Sequence, residues 1–419
     1  MTPKKFSPLW VILFTILIDL IGIGILIPVI PQLLGNPGSP DYLLPGVSVQ
    51  TAYVILGALV ASYPLAQFFA APILGQLSDR YGRRPILIWS LLGTAVGYVL
   101  FAIAIYTRNI PLLFASRVLD GITGGNIPVA QAAIADITEP KDRAKNFGLM
   151  GAAFGLGFII GPYIGGQLSD ASLVSWFGPA VPFWFAGFLS FLNMIFIWLM
   201  MPETSPMKAG ERLHWGQSVT HIVKAFGHKQ LRFIFLTGFL FFSGFSFFTT
   251  FFGVYLIQRF GFSESDTGNF FAYVGIWIVI TQAVITPRVS RIWKERLVLN
   301  VGFCAAAVAL LLFHAPGPWT VLLLTTPLFA IFNGLTQSNY MAFLSRSAGP
   351  DVQGEILGIN ASIGALSQAI PPVIAGVIAS GGDAGITLYV AAGIMFIAGL
   401  LFLATVRHDP RPAVVTLRQ

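Results

Sequence analysis

The chain is built from long apolar segments separated by short polar ones. Each apolar segment is close to the roughly 20 residues that a helix needs to cross the hydrocarbon core of a bilayer. Only 10% of the 419 residues are charged, against roughly 25% in soluble domains. We therefore predict an all-α polytopic membrane protein with twelve transmembrane helices, near residues 9–31, 51–77, 86–105, 111–137, 144–168, 181–201, 230–257, 266–286, 296–314, 318–345, 355–378 and 386–406.

The basic residues predict how these spans are oriented. Of the 24 Lys and Arg residues, 21 fall in the two tails and in the even-numbered turns. The opposite side has Arg108 and Arg259, and Arg117 lies inside a span. By the positive-inside rule, both termini are predicted to lie in the cytoplasm. The predicted location of the protein is the inner (plasma) membrane. This distribution explains the basic pI without a nucleic-acid partner. The first apolar segment follows Lys4 and Lys5 but contains Asp19 and has no small-residue cleavage site, which predicts a retained span.

Cysteine and histidine usage indicates which chemistry to exclude. The single cysteine, Cys304, excludes an internal disulfide and a multi-cysteine metal site. The five histidines show no metal-ligand spacing, and no nucleophile–base group has the spacing of an active site. We therefore predict no metal, no cofactor and no enzymatic activity.

An internal repeat divides the chain in two. Residues 148–170 and 358–380 match at an offset of 210, which superimposes Gly148 on Gly358 and Pro162 on Pro372. Parallel repeats of this kind place a substrate site at the interface of the halves, near mid-membrane. The predicted organisation is an N-terminal six-helix bundle (1–201), a cytoplasmic linker (202–229) and a C-terminal six-helix bundle (230–419), acting as a monomer.

The turn after the second predicted span carries the most specific motif. Residues 75–85 read GQLSDRYGRRP. A short cytoplasmic turn alone would explain its glycines and arginines, with Asp79 as a helix cap. The full pattern, however, resembles the signature of the major facilitator superfamily. The resemblance implies a conformational latch between the halves, with Asp79 near the start of the eleventh span. The latch residues are Gly75, Asp79, Arg80, Gly82, Arg83, Arg84 and Asp136.

A degenerate copy of this turn lies in the second half. At an offset of 211, Arg80 and Arg83 fall on Arg291 and Lys294. Ser290 replaces the acidic residue of the motif, and Trp293 replaces its second glycine.

The fifth predicted span carries a second motif, residues 157–166, GFIIGPYIGG. Glycines four apart allow close helix approach, and a proline bends the helix, so packing alone could explain them. The whole string nevertheless resembles the antiporter motif of the drug:proton antiporter branch of that superfamily, which implies export. We expect it to set helix packing at the seam between the halves. Its residues are Gly157, Gly161, Pro162, Gly165 and Gly166.

Parts of the N-terminal half are similar to the tetracycline-efflux proteins, namely residues 19–24, 117–138 and 142–166. The resemblance is weak in the C-terminal half. It implies acidic residues in the third and ninth spans, where this chain has Gly97-Tyr98 and residues 300–304. Asp120 is an additional acid. The resemblance therefore implies the transport class without implying tetracycline as the substrate.

Three ionisable residues, Asp19, Arg117 and Asp120, lie deep within predicted spans. Arg117 and Asp120 are three residues apart and share a helical face. A structural ion pair is one interpretation. Intramembrane charge is costly, however, and by default marks a transport pathway. One arginine cannot neutralise two acids, so one acid is left to titrate, and we predict that these three residues couple transport to protons.

The remaining polar residues within spans predict a substrate cavity. It should be charged on the N-terminal side and apolar with amides on the other, which suits lipophilic compounds. The candidate substrate-binding residues are Asn126, Gln131, Phe245, Gln282, Asn333, Gln337 and Asn360.

The predicted function is a proton-coupled secondary transporter that exports lipophilic small molecules by alternating access. One alternative is a lipid or glycolipid flippase of the same fold, which the Phe-rich seventh span favours. Another is a proton-coupled nutrient importer, against which the fifth-span motif argues. The expected partners are a small lipophilic substrate, protons and the lipid bilayer.

Overall fold

The computed structural model describes residues 7–139, 142–205, 216–227, 231–347 and 353–406, and within these ranges the chain is helical with no strand. The predicted all-α class is confirmed. The first eight helices are α1 (Pro8–Gly35), α2 (Val49–Tyr81), α3 (Arg83–Tyr106), α4 (Ile110–Thr123), α5 (Ile127–Asp136), α6 (Arg143–Ser169), α7 (Val181–Met200) and α8 (Gln217–Gly227). The others are α9 (Arg232–Phe260), α10 (Glu264–Ile280), α11 (Thr286–Ile292), α12 (Glu295–Leu311), α13 (Thr320–Ser347), α14 (Gln353–Ala379) and α15 (Ile386–Thr405).

Eleven helical segments in the described ranges are long and apolar enough to cross a membrane. One of them, Glu264–Ile292, runs from α10 through a five-residue π-helix (Thr281–Ile285) into α11. The predicted linker contains the short helix α8. Nine of the basic residues used to predict the topology lie outside the described residues: Lys4, Lys5, Lys141, Lys208, Arg212, Lys229, Arg407, Arg411 and Arg418.

The fourth predicted span differs from the continuous helix expected over 111–137. It consists of α4 and α5, separated at Gly124–Asn126, and neither piece alone is long enough to span a bilayer. Two adjacent glycines favour this interruption, and Pro128 near the start of α5 has no N–H group with which to continue the helix. Non-helical backbone at membrane depth is tolerated where protein buries it. Accordingly, the Asn126 side chain in the break is buried.

The contacts divide the chain into two compact units, residues 1–217 with 261–275 and residues 218–260 with 276–419. In the first unit, α1 packs against α6 and α7, while α4 packs against α2 and α3. In the second unit, α9 packs against α14 and α15, and α12 packs against α13 and α15. The first part of α10 belongs to the first unit.

Glycines of the fifth-span motif bring α6 against α1. A Cβ atom at Gly161 would lie 2.7 Å from the carbonyl oxygen of Ile21 and 2.8 Å from the Cα of Gly24. Gly157 and Gly165 make similarly close approaches to α1. Gly161 therefore packs within the first unit, and the expectation that it lies at the seam between the halves is wrong for this residue. Only backbone atoms fit at such a distance, which is why α6 carries glycine at this spacing.

Another face of the same motif meets the beginning of α10. A Cβ at Gly166 would lie 2.5 Å from the carbonyl oxygen of Glu264 and 3.0 Å from the Cα of Gly268. From the opposite side, a Cβ at Gly268 would lie 2.5 Å from the carbonyl oxygen of Pro162. The motif thus provides two close helix contacts, one with α1 and one with α10.

The phenylalanines of α9 form the packing core of the second unit. The Phe248 ring lies 4.6 Å from that of Phe252, 4.9 Å from that of Phe329 and 5.8 Å from that of Phe313, measured between centroids. All four side chains are fully buried. Phe245 is only partly buried. The aromatic content of this span is therefore explained mainly by helix packing.

We expect Gly161→Ala to lower stability by about 1–3 kcal/mol, because the added methyl group meets backbone atoms that cannot move away. Gly151→Ala is the matched control on the same helix, since a Cβ there would have no described atom within 4 Å. Thermal unfolding of the purified full chain in detergent micelles measures both. Equal unfolding temperatures for the two variants would contradict the close contact between α1 and α6.

Candidate functional site

The three intramembrane charged residues meet in the first unit. Asp19 on α1 and Arg117 and Asp120 on α4 retain 8%, 6% and 3% of their exposure. Arg117 Nη1 donates to Asp120 Oδ2 at 2.8 Å. The Arg117 guanidinium also lies over the Tyr63 ring, 4.5 Å from its centroid. Arg117 is therefore held by one acid and one aromatic face.

Asp19 has a different kind of partner. Its Oδ2 accepts a hydrogen bond from Asn126 Nδ2 at 2.8 Å. Its Oδ1 is buried, and no described residue forms a hydrogen bond with it. A neutral amide compensates a buried carboxylate less well than a cation does. The two aspartates thus have unequal environments, although both are buried in the same part of the unit.

A small cavity connects the two carboxylates. Asp19 and Asp120 both line it, together with Tyr63, Thr94, Tyr98 and Asn126. Its volume is about 10 Å³, which is close to the space that one water molecule needs. The walls carry both hydroxyl and amide groups.

Glycines on α1, α3 and α4 leave room for this cluster. A Cβ at Gly97 on α3 would lie 3.1 Å from the Cβ of Asp120. Gly22 on α1 lies against the Tyr98 hydroxyl, and Gly121 lies against the backbone of Tyr63. A larger residue at Gly97 would displace Asp120, one at Gly22 would displace Tyr98, and one at Gly121 would push α4 away from α2. The Gly97-Tyr98 pair noted in the sequence is therefore in contact with the additional acid, Asp120.

The structure brings one candidate substrate-binding residue, Asn126, into the charged cluster. Gln131 lies further along on α5 and is partly buried. In the second unit, Asn360 accepts a hydrogen bond from the Tyr340 hydroxyl at 3.2 Å, which links α14 to α13. Of the other candidates there, Asn333 is buried, Phe245 and Gln282 are partly buried, and Gln337 is exposed.

The latch motif forms a charged network around Arg83. Its Nη1 contacts Asp79 Oδ1 at 2.6 Å and donates to Ser78 Oγ at 2.6 Å, while its Nε donates to Asp136 Oδ2 at 3.1 Å. This joins α2, α3 and the end of α5. Arg84 donates to the carbonyl of Trp198 on α7.

The remaining latch residues form fewer contacts in the described part of the chain. Arg80 lies over the ring of the adjacent Tyr81, and no described atom lies within 4 Å of a Cβ placed at Gly75. Residues 348–352, which precede α14, lie outside the described residues. The approach of Asp79 to the start of the eleventh span stays a prediction.

Sequence reasoning missed Glu203, just beyond α7. Its Oε1 accepts from the backbone N–H of Arg83 at 2.8 Å, and its Oε2 accepts from that of Arg84 at 3.2 Å. These N–H groups begin α3, whose N-cap residue, Gly82, has no side chain to cap them. Gly82 has φ +100, and a Cβ there would collide with the Glu203 carboxylate. The sequence offered one signal for this contact. An acid follows the sixth span, and the helix of the third span begins after a glycine, which has no side chain to cap it.

The long apolar helices define a multi-pass membrane protein. The family model of the Major Facilitator Superfamily matches residues 12–372. The chain belongs to this superfamily, and its members are transporters rather than enzymes. The predicted family and fold are confirmed.

Similar proteins match most of the chain. It is 33% identical to tetracycline resistance protein, class C, of Escherichia coli over 378 residues, 88% of this chain and 89% of that protein. It is 31% identical to multidrug resistance protein 1 of Bacillus subtilis (strain 168), with 90% of each covered. The crystal structure of the human organic anion transporter MFSD10 (TETRAN) matches with a TM-score of 0.70 at 25% identity, covering 96% of this chain and 100% of that one. The similarity therefore extends beyond the N-terminal half.

We expect Glu203→Ala to destabilise the first unit by about 1 kcal/mol, the usual loss for a helix cap. Glu203→Gln should lose less, because its amide oxygen still accepts from one N–H group of α3. Thermal unfolding of the full chain compares both variants with wild type. If both variants unfold at the wild-type temperature, the Glu203 carboxylate does not cap α3.

Proposed function

We propose that this chain is a proton-coupled exporter of lipophilic, drug-like small molecules. The observation that carries the proposal is the small cavity in which two buried carboxylates have unequal partners, Asp120 an arginine and Asp19 an amide. Resistance proteins among the relatives, named for tetracycline and for multiple drugs, support the substrate class. Proton entry would then exchange for outward movement of the substrate within one transport cycle.

Asp19 is the proposed proton carrier. A buried carboxylate without a cation partner is costly to keep charged, so Asp19 is suited to accept a proton. Arg117 places a positive charge beside Asp120 in the arrangement described, and Asp19 has no such partner among the described residues. A change of conformation that brings Arg117 closer to Asp19 would favour the charged carboxylate, and Asp19 would then release its proton. Transport requires such a difference in proton affinity between two conformations, because free energy passes from the proton gradient to the substrate through it.

Asp120 takes the place of an acid that the tetracycline-efflux resemblance implies in the third span. Its Cβ lies 3.1 Å from the position of a Cβ at Gly97 on α3. A carboxylate can therefore occupy similar space from α4 when α3 carries glycine. We propose that this relocation preserves coupling to protons while it reshapes the substrate site. Neutral or cationic lipophilic compounds fit such a site.

The remaining roles follow from the same proposal. The network around Arg83 is the conformational latch, and the predicted substrate-binding residues of both units contact the substrate during the cycle. The protein acts as a monomer in the inner membrane with both termini in the cytoplasm. The positive-inside distribution supports that orientation. The two six-helix halves, 1–201 and 230–419, are the bodies that alternate.

The two alternative functions are less well supported. A lipid flippase was favoured by the Phe-rich seventh span, but most of those rings pack inside the second unit. A nutrient importer would share the fold, yet the relatives described above that are at least 30% identical carry resistance names.

The direct test uses full-length protein in vesicles loaded with a fluorescent lipophilic dye. An acid pulse outside should accelerate dye loss, and Asp19→Asn should reduce that loss to the rate of protein-free vesicles. Asparagine keeps an oxygen that can accept from Asn126 but cannot carry the proton, so folding should be preserved. Asp170→Asn, in the turn after α6, is the matched control and should behave as wild type.

Asp120→Asn and the double variant complete the coupling experiment. Substrate-triggered proton flux that is undiminished in both single variants and in the double variant would contradict the proposed mechanism. Failure of the acid pulse to move dye through wild-type protein would contradict the proposed function itself.

For the latch, we expect Asp79→Asn to slow transport and leave equilibrium substrate affinity unchanged. The substitution removes one of two acids from Arg83, while Ser78 and Asp136 keep the arginine in place. Asp142→Asn is the control, because that side chain makes no capping hydrogen bond at the start of α6. Substrate binding to detergent-purified protein and dye efflux from vesicles separate the two effects. A parallel loss of affinity and transport would exclude a purely conformational role.

A further inference from the structure

A basic pocket lies in the second unit, away from the residues assigned above. It is a cavity of about 460 Å³ between the α11–α12 turn and the last turns of α13. Four basic side chains line it, accompanied by a single acid, Glu295. The basic residues are Arg291, Lys294, Arg296 and Arg346.

The charges in this pocket are not balanced. Glu295 pairs with Arg346 at 3.2 Å. In the part of the chain that the structure describes, Arg291, Lys294 and Arg296 form no ion pair, and the Nε of Arg296 is buried without a hydrogen-bond partner. The helix α12 begins at the same place, and its N-cap residue, Lys294, supplies no side-chain cap. Free N–H groups at a helix start add to the attraction for an anion.

The first-half copy of this turn shows what has been lost. There, Arg83 is neutralised by Asp79 and Asp136. In the second half, Ser290 stands at the position of Asp79. At offsets of 210 and 211, the counterparts of Asp136 are Arg346 and Ser347, neither of which is acidic. The basic residues of the turn are therefore retained while both internal counterions are absent, and an external anion can take their place.

The surroundings of the pocket indicate where that anion comes from. Ile292 is 78% exposed and Trp293 is 50% exposed, and both line the pocket at the end of a membrane-spanning helix. Leu297, on the first turn of α12, is also exposed. Tryptophan beside apolar side chains is typical of the membrane–water interface. A soluble anion would not require this apolar rim, whereas a lipid presents its phosphate and acyl chains together.

We propose that this pocket binds the phosphate of an anionic phospholipid headgroup in the cytoplasmic leaflet. The choice of leaflet rests on the topology proposed above. Basic pockets between spanning helices on the cytoplasmic side recognise such headgroups. Arg291, Lys294 and Arg296 surround the phosphate, and Ile292, Trp293 and Leu297 contact the glycerol and upper acyl region. The bound lipid supplies the negative charge that Asp79 and Asp136 supply in the first half.

The test uses the purified full chain, freed of lipid in an uncharged detergent, and follows thermal unfolding during titration. The titrants are short-chain phosphatidylglycerol, short-chain phosphatidylcholine and inorganic phosphate. Phosphatidylglycerol should raise the unfolding temperature, because a ligand that binds the native state stabilises it. The Arg291→Gln/Lys294→Gln double variant should bind phosphatidylglycerol about 30-fold more weakly. It lacks two basic residues that each attract the anionic headgroup.

Two further variants make the result specific. Arg288→Gln removes a neighbouring basic residue that does not line the pocket, so it should retain the wild-type affinity for phosphatidylglycerol. Ser290→Asp restores the acid of the first-half turn, four residues before Lys294, as Asp79 precedes Arg83. It should weaken lipid binding without removing any basic residue, and it decides the matter if the double variant does not fold.

Four outcomes would overturn the proposal. Equal stabilisation by phosphatidylcholine would mean that the pocket does not recognise the anionic headgroup. Equal stabilisation by inorganic phosphate would make it a site for soluble anions. An Arg288→Gln effect as large as that of the double variant would reduce the effect to diffuse surface charge. Unchanged binding in Ser290→Asp would show that the missing acid is irrelevant. None of these measurements depends on dye export, so this proposal and the transport proposal can fail independently.

Discussion

The ion pair between Arg117 and Asp120 is the interaction around which the first unit is arranged. In a medium without water, a lone guanidinium would be very costly, and a partner at 2.8 Å together with an aromatic face at 4.5 Å keeps it inside the helix bundle. Among the described residues, the same pairing leaves Asp19 with an amide as its hydrogen-bond partner. A single positive charge facing two acids creates the imbalance that a proton can correct, which is the physical basis of the proposed coupling.

Small residues and a broken helix allow this cluster to exist. Gly97 and Gly121 bring α3 and α2 close to α4, and Gly161 brings α6 against α1, which carries Asp19. At the interruption between α4 and α5, Asn126 is the N-cap residue of α5, and its side-chain amide donates to Asp19. The motifs and the charges are therefore not separate features. The glycines set the distances at which the charged side chains can meet.

The two copies of the cytoplasmic turn illustrate how a duplicated element diverges. The first keeps its charges balanced within the protein, through Asp79, Asp136 and the carboxylate of Glu203 on the backbone. The second has kept its basic residues without those acids and has gained an exposed tryptophan. One copy is thus suited to hold helices of its own unit together, and the other to hold a ligand from outside the chain.

The sequence by itself determined the class, the spans and the charged residues. Bilayer thickness imposes a segment length, and the cost of intramembrane charge makes Asp19, Arg117 and Asp120 conspicuous in any apolar run. Periodicity placed Arg117 and Asp120 on one face, but it could not choose Asn126 as the partner of Asp19, because that depends on where α4 breaks. The motif in the fifth span predicted the wrong neighbour for Gly161, and sequence reasoning overlooked Glu203. A glycine or a carboxylate can contact any helix that tertiary packing brings to it. Local pattern and solvent decide which segments are helices, whereas only the packed structure decides which side chains meet.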